Sequence, residues 1–142
     1  SWTLDIMSVV NKVPVLDDCH TYQLGLITAI DRIQKECYAV HGKEIPEYII
    51  NEVIEKGDTD AIANNKAAIM DTINAGLKRY ALEVEAKLRE LKIDFDFTNV
   101  VYVGGGAGVM RRFGSCTSDN VRYVTDVRAN ALGYQYLAQN LV

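Results

Sequence analysis

The stretch "NVVYVGGGAGVMRRF", residues 99–113, frames the reading of the whole chain. Val100 to Val103 is a short apolar run rich in valine. Continuous rather than alternating apolarity suits a strand buried on both faces, as in a parallel sheet covered by helices. Three consecutive glycines, an alanine and a fourth glycine follow. Glycine loses more backbone entropy on folding than any other residue, so so dense a run needs a cause. A dinucleotide fingerprint would require glycine where Val109 stands, and a P-loop would require a Lys-Ser/Thr pair where Met110-Arg111 follows. Two readings stay open. One is a glycine turn at the carboxyl end of a strand, where open α/β sheets hold ligands against bare backbone. The other is a tight strand-to-helix turn with no ligand.

Outward from this stretch the pattern is α/β. Thr3 to Val10 and Val13 to Leu16 alternate in part around Asn11-Lys12, which predicts a β-hairpin. Thr21 to Val40 carries Ile27, Ile30, Ile33 and Cys37 at helical spacing and stops before Gly42. Ile45, Ile49, Ile50, Val53 and Ile54 predict a short helix closed by Gly57. Asp58, Thr59 or Asp60 then offers a cap for a long helix over 61–92, roughly 45–50 Å at ~1.5 Å per residue. Its stripe is Ile69, Ile73, Leu77, Ala81, Val84, Leu88 and Leu91, and its charges read as a solvated face, with Glu85 and Arg89 an i,i+4 pair. A short helix over 109–113, a loop over 114–120, a strand over 121–124 and a final helix over 126–141 complete the order. Hairpin, helices, strand, helix, strand, helix is an α/β layer with a mixed sheet.

Composition narrows the function classes. The chain has 142 residues, 49% hydrophobic and 24% charged, with net charge −4. That is a normal core for one domain and a poor match to a duplex-binding surface. No apolar run approaches the roughly 20 residues that cross a bilayer. Cys19, Cys37 and Cys116 form no CxxC pair, which fits reduced thiols. His20 and His41 stand outside metal-ligand spacing, and two scattered histidines build no triad.

The glycine stretch has a partner about a hundred residues earlier. "VVYVGGGAGVMRRF" resembles the adenosine motif of the actin, Hsp70 and sugar-kinase superfamily, an apolar strand followed by Gly-Gly. "SWTLDIM" (Ser1–Met7) resembles the later part of that superfamily's second phosphate motif, with Thr3 as its threonine and Asp5 as its last aspartate; the motif's leading Asp-x-Gly is not matched. "HTYQLGLITAIDRI", "NKAAIMDTINAGLKR", "TNVVYVGGGA" and "ANALGYQYLAQN" follow in the order of plasmid-segregation actins of the ParM/StbA type.

The resemblance implies an actin-like ATPase domain of the ribonuclease H-like kind, its hairpin and parallel strands in one mixed sheet covered by helices. Residues 1–142 would be the second lobe, a IIA core with a small IIB-like insertion at about 42–64, of a protein about twice as long. It further implies ATP or ADP with Mg²⁺ as cofactors. Ser1, Thr3, Gly25, Gly104, Gly105 and Gly106 would bind nucleotide. Asp5 would be the catalytic residue, orienting water or holding the metal through water. The full-length parent would self-associate into cytoplasmic filaments and move plasmid DNA through a DNA-bound adaptor, with no direct nucleic-acid or membrane contact. Without a first lobe this chain alone is not expected to hydrolyse ATP. A strand that the superfamily places mid-sheet is also unmatched. Its loss is expected to leave edges that re-pair, meet a second copy or lie under the last helix. Two other classes compete: a non-enzymatic interaction domain of the same fold, and a lobe of a sugar or acetate kinase.

Overall fold

The structure, a computed structural model, describes residues 3–115 and 118–125. The final helix expected over 126–141 and the third cysteine, Cys116, lie outside the described residues. The chain begins with a hairpin of β1 (Leu4–Val10) and β2 (Val13–Tyr22). Its turn residues Asn11 and Lys12 both have positive φ, 50° and 66°, the type I′ geometry that matches strand twist without the usual Asn-Gly. Met7 pairs with Cys19 and Ser8 with Val15, so Leu16, Asp17 and Asp18 bulge out of the ladder. Ser8 Oγ donates to Asp18, whose carboxyl is thereby held below the usual range, with His20 adding to the effect.

β2 runs to Tyr22, so helix α1 (Leu26–His41) starts later than the residue-21 start that its apolar spacing suggested. Cross-strand pairing of Thr21 with Asp5 and of Tyr22 with Leu4 claims those residues for the sheet. α1 ends at Gly42 in the left-handed region, φ 65°, and α2 (Glu47–Lys56) ends the same way at Gly57, φ 81°. Arg112 fills a second part of that cap. Its guanidinium donates to Ile54 O at 3.3 Å and Glu55 O at 2.9 Å. Those carbonyls are orphans of the last turn of α2, and a cation suits that end of the helix dipole. A Cβ on Gly57 would stand 2.6 Å from Arg112 Nη1. Gly57→Ala is therefore expected to cost about 1–2 kcal/mol, from left-handed strain plus a displaced cap. Thermal or urea unfolding measures it, and an unchanged midpoint would show that Arg112 does not hold α2.

The long helix α3 spans Lys66–Glu90, 25 residues or about 37 Å at ~1.5 Å per residue, shorter than its charge and apolar pattern suggested. Thr59 does not cap it. The Thr59 hydroxyl instead accepts Ala61 N–H at 3.1 Å, closing a buried turn several residues upstream. The core lies where α1, α2, α3 and the later helix α4 (Gly105–Phe113) meet: Ile33, Cys37, Ile50, Val53, Ile73, Leu77, Val84 and Val109 have lost nearly all solvent contact. α1 and α3 approach closely at Gly76, where a Cβ would lie 2.3 Å from Ile33 Cγ1, and Arg32 bridges to Glu83 at 2.7 Å.

β3 (Val100–Val103) pairs in parallel with β4 (Val121–Val124), and Tyr102 stacks on Tyr123 with ring centroids 5.7 Å apart. Asn120 fastens the approach to both strands by donating to Phe95 O and Thr98 O. The expected single mixed sheet is corrected here. Among the described residues there are two two-stranded sheets, β1–β2 and β3–β4, and no ladder joins them. Val100 N–H reaches Asn120 O and Gly104 N–H reaches Val124 O. The alternation of a parallel ladder then turns the N–H and C=O of Val101 and Val103 to the opposite edge, which has no strand beside it among the described residues. β1 packs its own Leu4 against the helical core, and Tyr22 of its partner strand lies under Lys87 of α3.

Candidate functional site

The glycine run is not a loose turn ahead of a helix. It is the first turn of α4, which starts at Gly105 rather than at Val109. Gly104 joins strand to helix with φ 92° and ψ −164°, a conformation essentially closed to residues with a Cβ. Its N–H donates to Val124 O at 2.9 Å and its carbonyl accepts Ala107 N–H at 3.1 Å, so both ladder and helix depend on it. Gly105 faces Leu26 Cδ2, 3.2 Å from an added Cβ, and Gly106 faces the Tyr80 hydroxyl at the same distance. Gly108 allows α4 to lie against Ile54 of α2.

Gly25 is the residue before α1, and its carbonyl accepts the N–H groups of Thr28 at 3.1 Å and Ala29 at 3.3 Å. Its φ of −83° does not itself require glycine. Leu26, the first residue of α1, packs its side chain against Gly105, the first residue of α4. A helix N-terminus carries unsatisfied N–H groups and partial positive charge, so the first turn of α4 favours an anionic group. At the start of β1, Leu4 pairs with Tyr22, the last residue of β2. There Asp5 is exposed and accepts from Thr21 Oγ1 at 2.9 Å and Thr3 Oγ1 at 3.3 Å. Thr3 and Asp5 stand at the start of β1, Gly25 before α1 and Gly104–Gly106 at the β3–α4 junction; Ser1 lies outside the described residues. No group of three or more His, Cys, Asp or Glu side chains that could hold a metal exists among the described residues.

Three residues here were not legible as special. Glu85 is 2% exposed, not a partner of Arg89 on an outer face. Its carboxylate accepts Ser115 N–H at 3.1 Å and Ser115 Oγ–H at 2.6 Å, tying down the exit of α4. Position 85 follows Ala81 by four and precedes Leu88 by three, a spacing on the apolar stripe that signals burial. Arg112 caps α2 from α4. Tyr80, at 4% exposure, reaches under the glycine run from α3. Burial, and then the charge of Glu83, push its phenol up to about 12. The unfolded chain loses that proton near pH ~10. Stability is therefore retained below pH ~10 and falls as pH rises from there towards about 12, where the folded phenol also ionises. A spectrophotometric titration should show one phenol resisting ionisation until the fold is lost; Tyr80→Phe should remove that step.

Residues 1–113 match the family model of the archaeal actin homologue MreB-like, C-terminal domain, which is well over half of the chain. No curated protein and no solved structure matches it. Among the described residues no helix is long and apolar enough to cross a membrane.

Proposed function

The chain belongs to the archaeal MreB-like C-terminal family of actin homologues, and on that premise we propose that it is the nucleotide-binding second lobe of a filament-forming, ATP-hydrolysing actin-like protein. The observation that carries the reading is the junction at Gly104, a glycine-only conformation that ends β3 and opens α4. Backbone without side chains at Gly104–Gly106 would admit adenine and ribose, and Gly25 lies at the start of α1. Ser1 and Thr3 contribute N–H and hydroxyl groups to the phosphates. Asp5 supplies the single accessible carboxylate of the β1 start, which suits Mg²⁺ held through water by phosphate oxygens rather than in a protein cage. Phosphoryl transfer depends mainly on positioning and charge neutralisation, so one lobe of a clamp binds weakly and does not turn over.

The ParM/StbA likeness directs the polymer to plasmid segregation in the cytoplasm through a DNA-bound adaptor. Self-association is supported by an apolar hairpin tip, where Val10, Val13 and Leu16 are 57%, 62% and 83% exposed. The same patch would serve a non-enzymatic interaction domain, which is the second reading. Chemical-shift mapping of this chain with ADP·Mg²⁺ separates the two. Perturbations at Thr3, Asp5, Gly25 and Gly104–Gly106 are expected, and changes confined to the hairpin tip would support the second. In the full-length protein Asp5→Ala is expected to abolish ATP turnover with the fold intact; full residual activity would remove Asp5 from the mechanism.

A further inference from the structure

Two exposed features of the chain lack a partner, and each is the complement of the other. The first is the tip of the β1–β2 hairpin. Its two-residue turn at Asn11-Lys12 makes it narrow, and Val10, Val13 and Leu16 stand 57%, 62% and 83% exposed there. The bulge in β2 carries Leu16 and Asp17 out of the ladder. Lys12 and Asp17 are both exposed, and neither enters an ion pair among the described residues. Exposed apolar side chains grouped in this way mark an interaction surface.

The second is a cleft of about 320 Å³ between α1 and α3. Its apolar lining is Ile33, Ala75 and Gly76, and its charges are Glu36, Asp71 and Arg79. Ala75 and Gly76 add almost no side chain to that face of α3, which leaves the space beside Ile33. Thr72 also lines the cleft, but its hydroxyl already donates to Ala68 O at 3.3 Å and meets His41 Nε2 at 2.7 Å. The groups left for an incoming surface are two carboxylates and one guanidinium. All three are exposed, and none enters an ion pair among the described residues.

The tip is convex and apolar, with one cation and one anion. The cleft is concave, with an apolar lining, two anions and one cation. Lys12 is opposite in sign to Glu36 and Asp71, and Asp17 is opposite in sign to Arg79; such a match selects a partner and fixes its register. Both features are exposed in the single chain, so neither is satisfied by the other within one copy.

We propose that the hairpin tip of one copy docks into the α1–α3 cleft of a second copy, with Lys12 against Glu36 and Asp71 and the exposed valines against Ile33 and Ala75. The inference rests on the filament reading above and narrows it to two named surfaces. Tip and cleft are different patches, so the contact is heterologous. Each added copy still offers a free tip or a free cleft, and association continues until a ring closes or a filament grows. Surface charge pairs and a few apolar side chains make the contact weak and sensitive to salt.

Sedimentation velocity over a concentration series reads the self-association, and ¹⁵N chemical shifts read where it occurs. In the wild type, signals of residues 10–17 and of Glu36, Asp71, Ala75 and Gly76 are expected to move together with concentration, and to move less at high salt. Lys12→Glu sets a carboxylate against two others and should weaken self-association roughly tenfold. The double variant Glu36→Gln, Asp71→Asn keeps the side-chain shapes and should weaken it similarly. The first variant retains the cleft and the second retains the tip, so their mixture is expected to form a 1:1 complex and stop there. A mixture that stays monomeric overturns the contact, as do concentration-dependent shifts that fall on other residues, such as the exposed Phe97. Association through other surfaces leaves the filament reading standing, whereas a full-length protein that forms no polymer with ATP overturns that reading itself. The wild-type series decides the contact even if a variant is unstable.

Discussion

Glu85→Ala is expected to destabilise the fold by about 3 kcal/mol, because it strips a buried acceptor from a serine that uses it twice. Removing a buried charge can be neutral when the charge is poorly paired. Here both carboxylate oxygens are engaged, by Ser115 N–H at 3.1 Å and by Ser115 Oγ–H at 2.6 Å. Alanine removes that acceptor, leaving the exposed Ser115 donors to water, and opens a void beside Ala81 and Leu88 on the buried stripe of α3. Glu85→Gln keeps the shape and one good acceptor, so it should cost about half as much. Urea unfolding followed by circular dichroism reads both. A wild-type midpoint for Glu85→Ala would mean that the α4 exit is held by something else.

Gly104→Ala is expected to cost about 3 kcal/mol, the upper range for a side chain forced into a glycine-only conformation. The strain has no easy release, since relaxing φ from 92° would break either the bond to Val124 O or the one from Ala107 N–H. Gly105→Ala is the control. Gly105 is helical, alanine is the better helix former by about 1 kcal/mol, and its new methyl would meet only the flexible end of Leu26 at 3.2 Å. That variant should stay within about 1 kcal/mol of wild type. Two adjacent glycines with opposite outcomes would show that the run combines a conformational need at one position with an open backbone at the next. Equal effects would contradict this division.

Much of the helical layer was legible because its signals are local. Apolar residues three and four apart mark α1, α2 and α3, and Gly42 and Gly57 stop two of them in the left-handed conformation that such a position favours. The hairpin turn at Asn11-Lys12 was equally plain. Boundaries failed where a partner far along the chain decided them. Thr21 and Tyr22 belong to β2 because Leu4 and Asp5 pair with them. The role of Arg112 depends on carbonyls of α2, more than fifty residues away, and no local pattern carries that.

The candidate site divides the same way. The residue order supplied the glycine run, and the family resemblance singled out Thr3 and Asp5. Only the tertiary structure decided that Gly105 and Gly106 are the first turn of a helix, that the Leu26 side chain packs against Gly105, and that Tyr80 reaches Gly106 from α3. It also decided that the strands form two pairs rather than one sheet. The physical reason is range. Periodicity and backbone conformation are written within a few residues, whereas packing, capping and sheet pairing depend on which distant groups arrive in hydrogen-bonding or van der Waals contact.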